Sequence, residues 1–391
     1  MLNTALSPWP SFTQEEADAV SKVLLSNKVN YWTGSECREF EKEFAAFAGT
    51  QYAVALSNGT LALDVALKAM GIGAGDDVIV TSRTFLASAS CIVTAGANPV
   101  FADVDLNSQN ISAETIKAAL TPNTKAVIVV HLAGMPAEMD AIMDLAKEHD
   151  LWVIEDCAQA HGAKYKGKSV GSIGHVGAWS FCQDKIMTTG GEGGMVTTND
   201  KELWRKMWSY KDHGKSYDAV YHREHAPGFR WLHESFGTNW RMMEMQAVIG
   251  RIQLKRMPEW TARRQAHAAK LAESLGKFTG IRLIEIADYI EHAQYKFYAF
   301  VKPEHLKDGW TRDRIVAELN ARKVPCYQGS CSEVYLEKAF DNTLWRPKER
   351  LKNAVELGDT SLMFLVHPTL TDDEIAFCKE HIEAVLAEAT A

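Results

Sequence analysis

Apolar positions recur along this chain with two periods, and the architecture changes where the period changes. Thr13-Gln14-Glu15-Glu16 has capping-box spacing, in which a threonine and a glutamate satisfy each other's free amides, and Ala17, Val20, Val23 and Leu24 follow on one face. A first helix is predicted there. A second is predicted from Glu36 to Ala48, where Phe40, Phe44 and Phe47 form an aromatic stripe whose helical spacing marks a core-facing side.

From Tyr52 short apolar runs take over. Buried strands are predicted at Tyr52 to Leu56, Asp77 to Thr81, Pro99 to Asp103, Ala126 to His131 and Leu151 to Asp156, with helices near Thr60 to Met70, Phe85 to Ala95 and Glu138 to His149. Apolar strands alternating with helices indicate an α/β fold with a mostly parallel sheet covered on both faces. Ligands then bind beyond the carboxyl ends of the strands, so the residues that follow them carry the chemistry. The polar stretch Lys211 to Gly237 reads as a long functional loop. Helical periodicity returns from Met242 to Met257. Beyond Pro258 come a helix to about Leu275, a strand at Tyr295 to Val301, a helix at Thr311 to Arg322, an apolar run at Ser361 to Val366 and a terminal helix after Thr371. A domain boundary is placed near Pro258, giving a large domain of residues 1–257 and a smaller α+β domain of residues 258–391.

Composition narrows the field. With 391 residues, 46% of them hydrophobic and 24% charged, the chain is long enough for two packed domains. A net charge of −8 without a basic run argues against a nucleic-acid partner. Seven cysteines without a C-x-x-C pair suggest neither a disulfide framework nor a zinc ribbon, and fit a reducing compartment. Met1 to Pro10 lacks the pattern of a signal peptide, and no apolar run is long enough to span a membrane, so a cytoplasmic protein is expected.

Several motifs have plain readings. Gly71-Ile72-Gly73-Ala74-Gly75 follows a helix and precedes a strand, the reverse of a dinucleotide loop, so a helix stop and turn is predicted and an NAD site loses its support. His222 and His225 lack the further ligands a metal requires, and no metal is expected. Ser57-Asn58-Gly59-Thr60 lies where a strand ends and a helix begins. Small residues there let a phosphate approach free helix amides, although the same residues also cap helices that bind nothing. Glu155-Asp156 closes an apolar strand with carboxylates that need a cation or donors: a structural ion pair or the protonated ring nitrogen of a cofactor. Ser180 and Lys185 precede the turn Thr188-Thr189-Gly190-Gly191-Glu192-Gly193-Gly194. An enclosed lysine becomes a nucleophile toward an aldehyde, and Ser180 is positioned for a phosphate. A phosphate cradle, an acid for a pyridinium and a lysine for an aldehyde are together the attachments of pyridoxal phosphate.

These segments, with Thr84-Phe85, Glu155-Asp156-Cys157-Ala158-Gln159-Ala160-His161-Gly162, Ser180-Phe181 with Lys185, Gly191-Glu192-Gly193-Gly194 and Gly237-Thr238-Asn239-Trp240-Arg241, resemble the ordered signatures of the DegT/DnrJ/EryC1/StrS aminotransferases. The match is specific over residues 8 to 257 and loose beyond. The resemblance implies the type I, aspartate aminotransferase-like pyridoxal-phosphate fold. It implies that Lys185 holds the cofactor covalently and, when released, moves the substrate proton, while Asp156 pairs with the pyridinium nitrogen. By the same resemblance Gln159 sits by the ring, Phe85 stacks on it, and Gly59, Thr60 and Ser180 hold the phosphate. Asn239 would reach the phosphate of a neighbouring subunit, which implies a homodimer with shared sites, and Arg241 would meet the carboxylate of the amino donor. The implied reaction passes an amino group from L-glutamate, which leaves as 2-oxoglutarate, to a nucleotide-linked keto-sugar. The expected acceptor carbon is C4 of a 4-keto-6-deoxyhexose, in the making of O-antigen or similar polysaccharide. Amination at C3, a sugar dehydration and a non-catalytic binding homologue are the alternatives. Lys185 stands where the family's dehydratases carry histidine, which favours transamination. The histidine that the family often presents in the stretch matching Pro325 to Cys331 is missing, so the sugar pocket is expected to differ.

Overall fold

The architecture is seen in a computed structural model describing residues 5–390. Met1 to Thr4 of the amino-terminal segment and Ala391 lie outside the described residues. The apolar runs become strands β1 (Tyr52–Leu56), β2 (Asp77–Thr81), β3 (Asn98–Ala102), β4 (Thr124–Val130) and β5 (Trp152–Asp156). A small hairpin, β6 (Lys164–Tyr165) and β7 (Lys168–Ser169), precedes β8 (Val176–Ser180) and β9 (Gly194–Thr198). Seven of these form one sheet in the order β1-β9-β8-β5-β4-β2-β3. β8, β5, β4, β2 and β3 are mutually parallel, and β9 alone opposes both its neighbours.

β9 is an element the sequence pattern presents only as the end of a glycine-rich turn. All five of its residues are buried, and its first residue, Gly194, is paired with Leu56 on one side and Ser180 on the other. A Cβ on Gly194 would lie 2.2 Å from the Asn58 carbonyl oxygen. Glycine is required there because the backbones of β9 and the β1 turn meet without room for a side chain. That approach brings Ser57 to Thr60 beside the end of β8.

The helices follow their patterns closely. Thr13 caps Gln14–Leu25, with the Thr13 amide donating to Glu16 Oε2 at 2.9 Å, and Phe40 and Phe44 are fully buried on Glu36–Ala48. The Gly71 to Gly75 run is a turn between the helix Gly59–Ala69 and β2, with Gly71 and Gly75 in the left-handed region at φ 75° and 93°. Helices Ala113–Ala119, Lys201–Tyr210 and Lys352–Thr360 have no counterpart in the sequence expectations, and the Lys211 to Gly237 stretch contains a short helix, Tyr217–Tyr221.

Pro258 does not end a helix. One helix runs from Glu244 to Leu275 straight through it. A proline inside a helix costs about 3 kcal/mol, but buried side chains stand on both sides of it. Met257 and Trp260 pack with the core of the large sheet, and Ala268, Leu271 and Leu275 with a second core. Burying each large apolar side chain contributes roughly 1.5–3 kcal/mol, which offsets the lost hydrogen bond. The expected boundary therefore falls within an unbroken helix that serves both cores. The second core lies on an antiparallel sheet of β10 (Ile281–Leu283), β12 (Phe297–Val301), β13 (Cys326–Tyr327) and β14 (Ser361–Phe364), in the order β10-β12-β14-β13. β11 (Ile290–Glu291) pairs back onto β6, tying the segment after the long helix to the small hairpin between β5 and β8.

Candidate active site

The ends of β1, β5 and β8 and the turn after β2 converge, and each delivers one kind of group. After β1, Asn58 caps the helix Gly59–Ala69, its Oδ1 accepting from the Leu61 amide at 3.0 Å, so the amides of the first turn face outward beside an exposed Thr60. A Cβ on Gly59 would lie 2.5 Å from Ser180 Cβ and 3.0 Å from Ser180 Oγ. Gly59, with Thr60 next to it, is thus packed against Ser180, and this set of amides and hydroxyls, with no Cβ on Gly59 to part them, is suited to a phosphate.

After β5 the two carboxylates diverge, because successive residues of a strand face opposite ways. Glu155 is wholly buried and accepts from the amides of Gly171, Ile173 and Gly174 at 2.8, 2.9 and 2.6 Å, and its Oε2 lies 3.0 Å from His131 Nε2. Burial opposes its charge, but His131 and those amides hold it below the usual carboxylate range. Asp156 has fewer donors: Ser88 Oγ at 2.8 Å and the Ala158 amide at 3.1 Å. Burial raises it, and Ser88, Ala158 and Lys185 only partly offset this. A carboxylate so placed gains from a cationic N–H, as a pyridinium ring supplies.

Gln159 Oε1 accepts from the Ala133 amide at 2.7 Å, which fixes the orientation of its amide. Phe85, in the turn after β2, leaves 70% of its surface exposed, an aromatic face with little protein against it. Lys185 is half-buried in the turn after β8, with Nζ 5.4 Å from the centroid of the Tyr295 ring. Its backbone is held at both ends, the amide donating to the Cys182 carbonyl at 3.1 Å and the carbonyl accepting from Trp9 Nε1 at 2.9 Å. Cradle, carboxylate, aromatic face and lysine together fit pyridoxal phosphate.

Asn239 and Arg241 are placed differently from that group. The segment they share runs beside the end of β1, where the Ser57 amide and hydroxyl donate to the Trp240 and Arg241 carbonyls, each at 3.0 Å. Asn239 is exposed. Arg241 Nη1 lies 2.8 Å from Asp212 Oδ1, an oxygen also 3.0 Å from Lys215 Nζ, so its guanidinium is engaged within the chain. His222 and His225 are occupied separately, by Asp218 Oδ1 at 3.0 Å and the Ala219 carbonyl at 2.6 Å.

Sequence reasoning missed Ser88, the direct support of Asp156. The signal was available, because Ser88 stands one helical turn after Thr84, and their hydroxyls lie 2.8 Å apart. It also missed Trp9 and Tyr295, which come from distant segments that no local pattern connects to Lys185. His161, part of the motif that follows β5, is completely buried among Phe44, Trp179 and Phe181, where desolvation pushes its imidazole down to about 3.

Known proteins share both sequence and geometry. The model of the DegT/DnrJ/EryC1/StrS aminotransferase family matches residues 10–383. The spore coat polysaccharide biosynthesis protein SpsC of Bacillus subtilis (strain 168) is 36% identical over 378 residues, 96% of this chain and 95% of its own length. GDP-perosamine synthase of Caulobacter vibrioides (strain ATCC 19089 / CIP 103742 / CB 15) is 41% identical over 285 residues, covering 72% and 73% of the two chains. The X-ray structure of the aminotransferase from Psychrobacter cryohalolentis superimposes with a TM-score of 0.96 at 65% identity, over 98% of this chain and 99% of that one. The match across almost the whole length, together with strand ends that fit the cofactor, makes this chain a pyridoxal-phosphate-dependent transaminase of the DegT/DnrJ/EryC1/StrS family.

Proposed function

We propose that this protein transfers the amino group of L-glutamate to a nucleotide-linked keto-sugar, at C4 of a 4-keto-6-deoxyhexose, for cell-surface polysaccharide such as O-antigen. The observation that carries the reading is the convergence of Gly59, Ser180, Asp156 and Lys185 in a chain similar to SpsC and GDP-perosamine synthase. Bound there, pyridoxal phosphate would take up the amino group of one substrate and deliver it to the other. The residues of the chain do the rest. Asp156 keeps the ring nitrogen protonated, Phe85 covers a ring face, and Gly59, Thr60 and Ser180 hold the phosphate. Lys185 Nζ takes the proton from the amino-bearing carbon of glutamate and later returns one to the sugar carbon.

We extend the reading to the assembly. Exposed Asn239 follows in the same stretch of chain as Phe229, Trp231 and Phe236, which are 77%, 81% and 99% exposed, and suits a homodimer in which this segment reaches the partner's phosphate. Arg241, held by Asp212, supports that segment and serves the amino donor from there. Residues 1–257 act as the cofactor-binding unit and 258–391 as the unit that closes over it, linked by the long helix. The cytoplasm is the proposed location, and all seven cysteines are free thiols. Among the described residues no helix is long and apolar enough to cross a membrane.

The test is incubation of the purified protein with glutamate and nucleotide-linked 4-keto-6-deoxyhexoses, with the product read by mass spectrometry and NMR. An amine on C4, with 2-oxoglutarate formed in equal amount, is expected. An amine on C3 corrects the position, and the absence of any aminated sugar from a protein that carries the cofactor rejects the substrate class.

A further inference from the structure

Lys185 is not the only ammonium at the Tyr295 ring. Lys296 Nζ lies 4.7 Å from the same ring centroid that Lys185 Nζ approaches to 5.4 Å. The Tyr295 hydroxyl donates to Asp184 Oδ2 at 2.5 Å, so the carboxylate preceding Lys185 in sequence is fixed between the two lysines' shared ring and the turn after β8. Behind them stands Arg264, buried on the long helix, with Nη1 3.4 Å from the Tyr295 carbonyl and its guanidinium 5.0 Å from the Trp9 ring. Arg264 Nε and Nη2 have no hydrogen-bond partner among the described residues, and no carboxylate among them neutralises that guanidinium. One carboxylate, Asp184, is thus held by the hydroxyl of the ring that both Lys185 and Lys296 approach, and its charge favours the ammonium form of each.

We propose that Lys296, acting with Asp184, is a positioning residue that sets how readily the Lys185 amine holds a proton. Like charges close together disfavour the charged form of each, and a carboxylate favours it. Lys296 therefore acts on Lys185 in two ways, by repulsion and by drawing on Asp184. The released lysine must be neutral to accept a proton from substrate, so the repulsion works in the direction the reaction needs.

The remaining groups around Lys185 are accounted for. Asp156 faces it from β5. His161 is neutral, its imidazole pushed down to about 3 by burial, and burial keeps the Cys182 thiol protonated. Lys296 itself is pushed down to about 8, first by burial and then by Arg264 and Lys185, with Asp184 opposing. His367, stacked on Trp9, is likewise held neutral by burial, with Arg264 and Lys296 adding to the effect.

The inference rests on the reading of Lys185 as the cofactor-bearing lysine, and the experiment separates the two. The holoenzyme is titrated with alkali, and the pH midpoint at which the yellow band of the lysine-bound cofactor fades is recorded. Lys296→Met removes a positive neighbour, so the midpoint should rise by about one pH unit. Asp184→Asn removes a negative one and should lower it by a similar amount, while Lys296→Arg should stay near the wild type. Lys296→Gln provides the same reading if the methionine variant fails to fold. As a readout on the protein alone, acetylation of Lys185 by acetic anhydride, followed by peptide mass spectrometry in the cofactor-free chain, should need a higher pH in Lys296→Met. Midpoints that agree within about 0.2 pH units across all variants, in a protein that shows the band, overturn the inference alone. A wild type that shows no band when loaded with pyridoxal phosphate overturns the reading of Lys185 and the inference with it.

Discussion

Around Lys185 and around Lys211 the chain surrounds an ammonium group with aromatic rings and carboxylates, to different ends. Lys211 ends the helix Lys201–Tyr210 completely buried, with Nζ 3.3 Å from the Tyr31 ring centroid, 5.3 Å from that of Trp208 and 3.9 Å from Asp212 Oδ2. Burial pushes it down to about 8, with Glu41 and Asp212 opposing. Lys185 keeps part of its surface and stands where strand ends, helix amides and a poorly satisfied carboxylate face one another. Burial and a displaced protonation therefore do not identify chemistry. What distinguishes the Lys185 region is access, because Lys185 and Thr60 keep exposed surface there, whereas Lys211 Nζ and Asp212 Oδ2, without a hydrogen-bond partner among the described residues, are sealed in beside the Tyr31 and Trp208 rings. The Lys211 cluster also anchors the chain beside it. The Lys211 carbonyl accepts from the Trp240 amide at 3.0 Å, and Asp212 holds Arg241, so the cluster fixes the segment that carries Asn239.

The comparison breaks most visibly at Lys185 itself. Lys185→Ala should lower turnover by about four orders of magnitude and abolish the yellow band, while Lys211→Met should keep the band. Steady-state kinetics and visible spectra decide; a Lys185→Ala protein that retains both would move the site elsewhere. Next in size is the pair on β5. Asp156→Asn should cost turnover a factor of about 10² to 10³, since the ring nitrogen loses its counter-charge. Glu155→Gln should act through stability, because its oxygens already serve three backbone amides and His131. Equal losses of activity at equal stability in the two variants would erase the distinction between the two faces of the strand. Smaller again is Gly59→Ala. The added carbon meets Ser180 Cβ at 2.5 Å and enters the cradle, so cofactor affinity should fall at least about tenfold by equilibrium titration, with the fold retained.

How much of this could be read from the sequence follows the same division. Gly59 and Asp156 come at or directly after apolar runs legible as strands, where ligands are expected, whereas Ser180 and Lys185 follow β8, which the sequence pattern does not show, and were reached through the glycine-rich turn beside them and the family resemblance. Tyr295, Lys296, Arg264 and Trp9 were not legible, because their relation to Lys185 exists only once the long helix and β12 fold back on the large sheet. Lys211 looks in sequence like the start of a polar loop, since the rings that enclose it lie far away at Tyr31 and on the preceding helix at Trp208. Pro258 and β9 misled for a local reason. Proline and glycine punctuate chains on average, but here buried neighbours carried the helix through Pro258, and close backbone packing required the glycine at Gly194.

The finest test concerns Lys211, where structure and function are expected to part. In the folded chain it releases its proton near 8, whereas an unfolded lysine does so near about 10.4. Between those values the unfolded chain binds more protons than the folded one, so this group makes folding more favourable as pH rises, by up to about 1.4 kcal/mol per pH unit. Lys211→Met lacks that slope. It also leaves Glu41, whose carboxyl burial raises, without its cation, which lowers stability by an offset rather than a slope. Urea unfolding at pH 8 and pH 10 should therefore show the wild type gaining on the order of 2 kcal/mol relative to the variant. Parallel behaviour of the two proteins would mean that Lys211 titrates as an ordinary lysine, and the contrast between a lysine buried for structure and one poised for chemistry would lose its electrostatic basis.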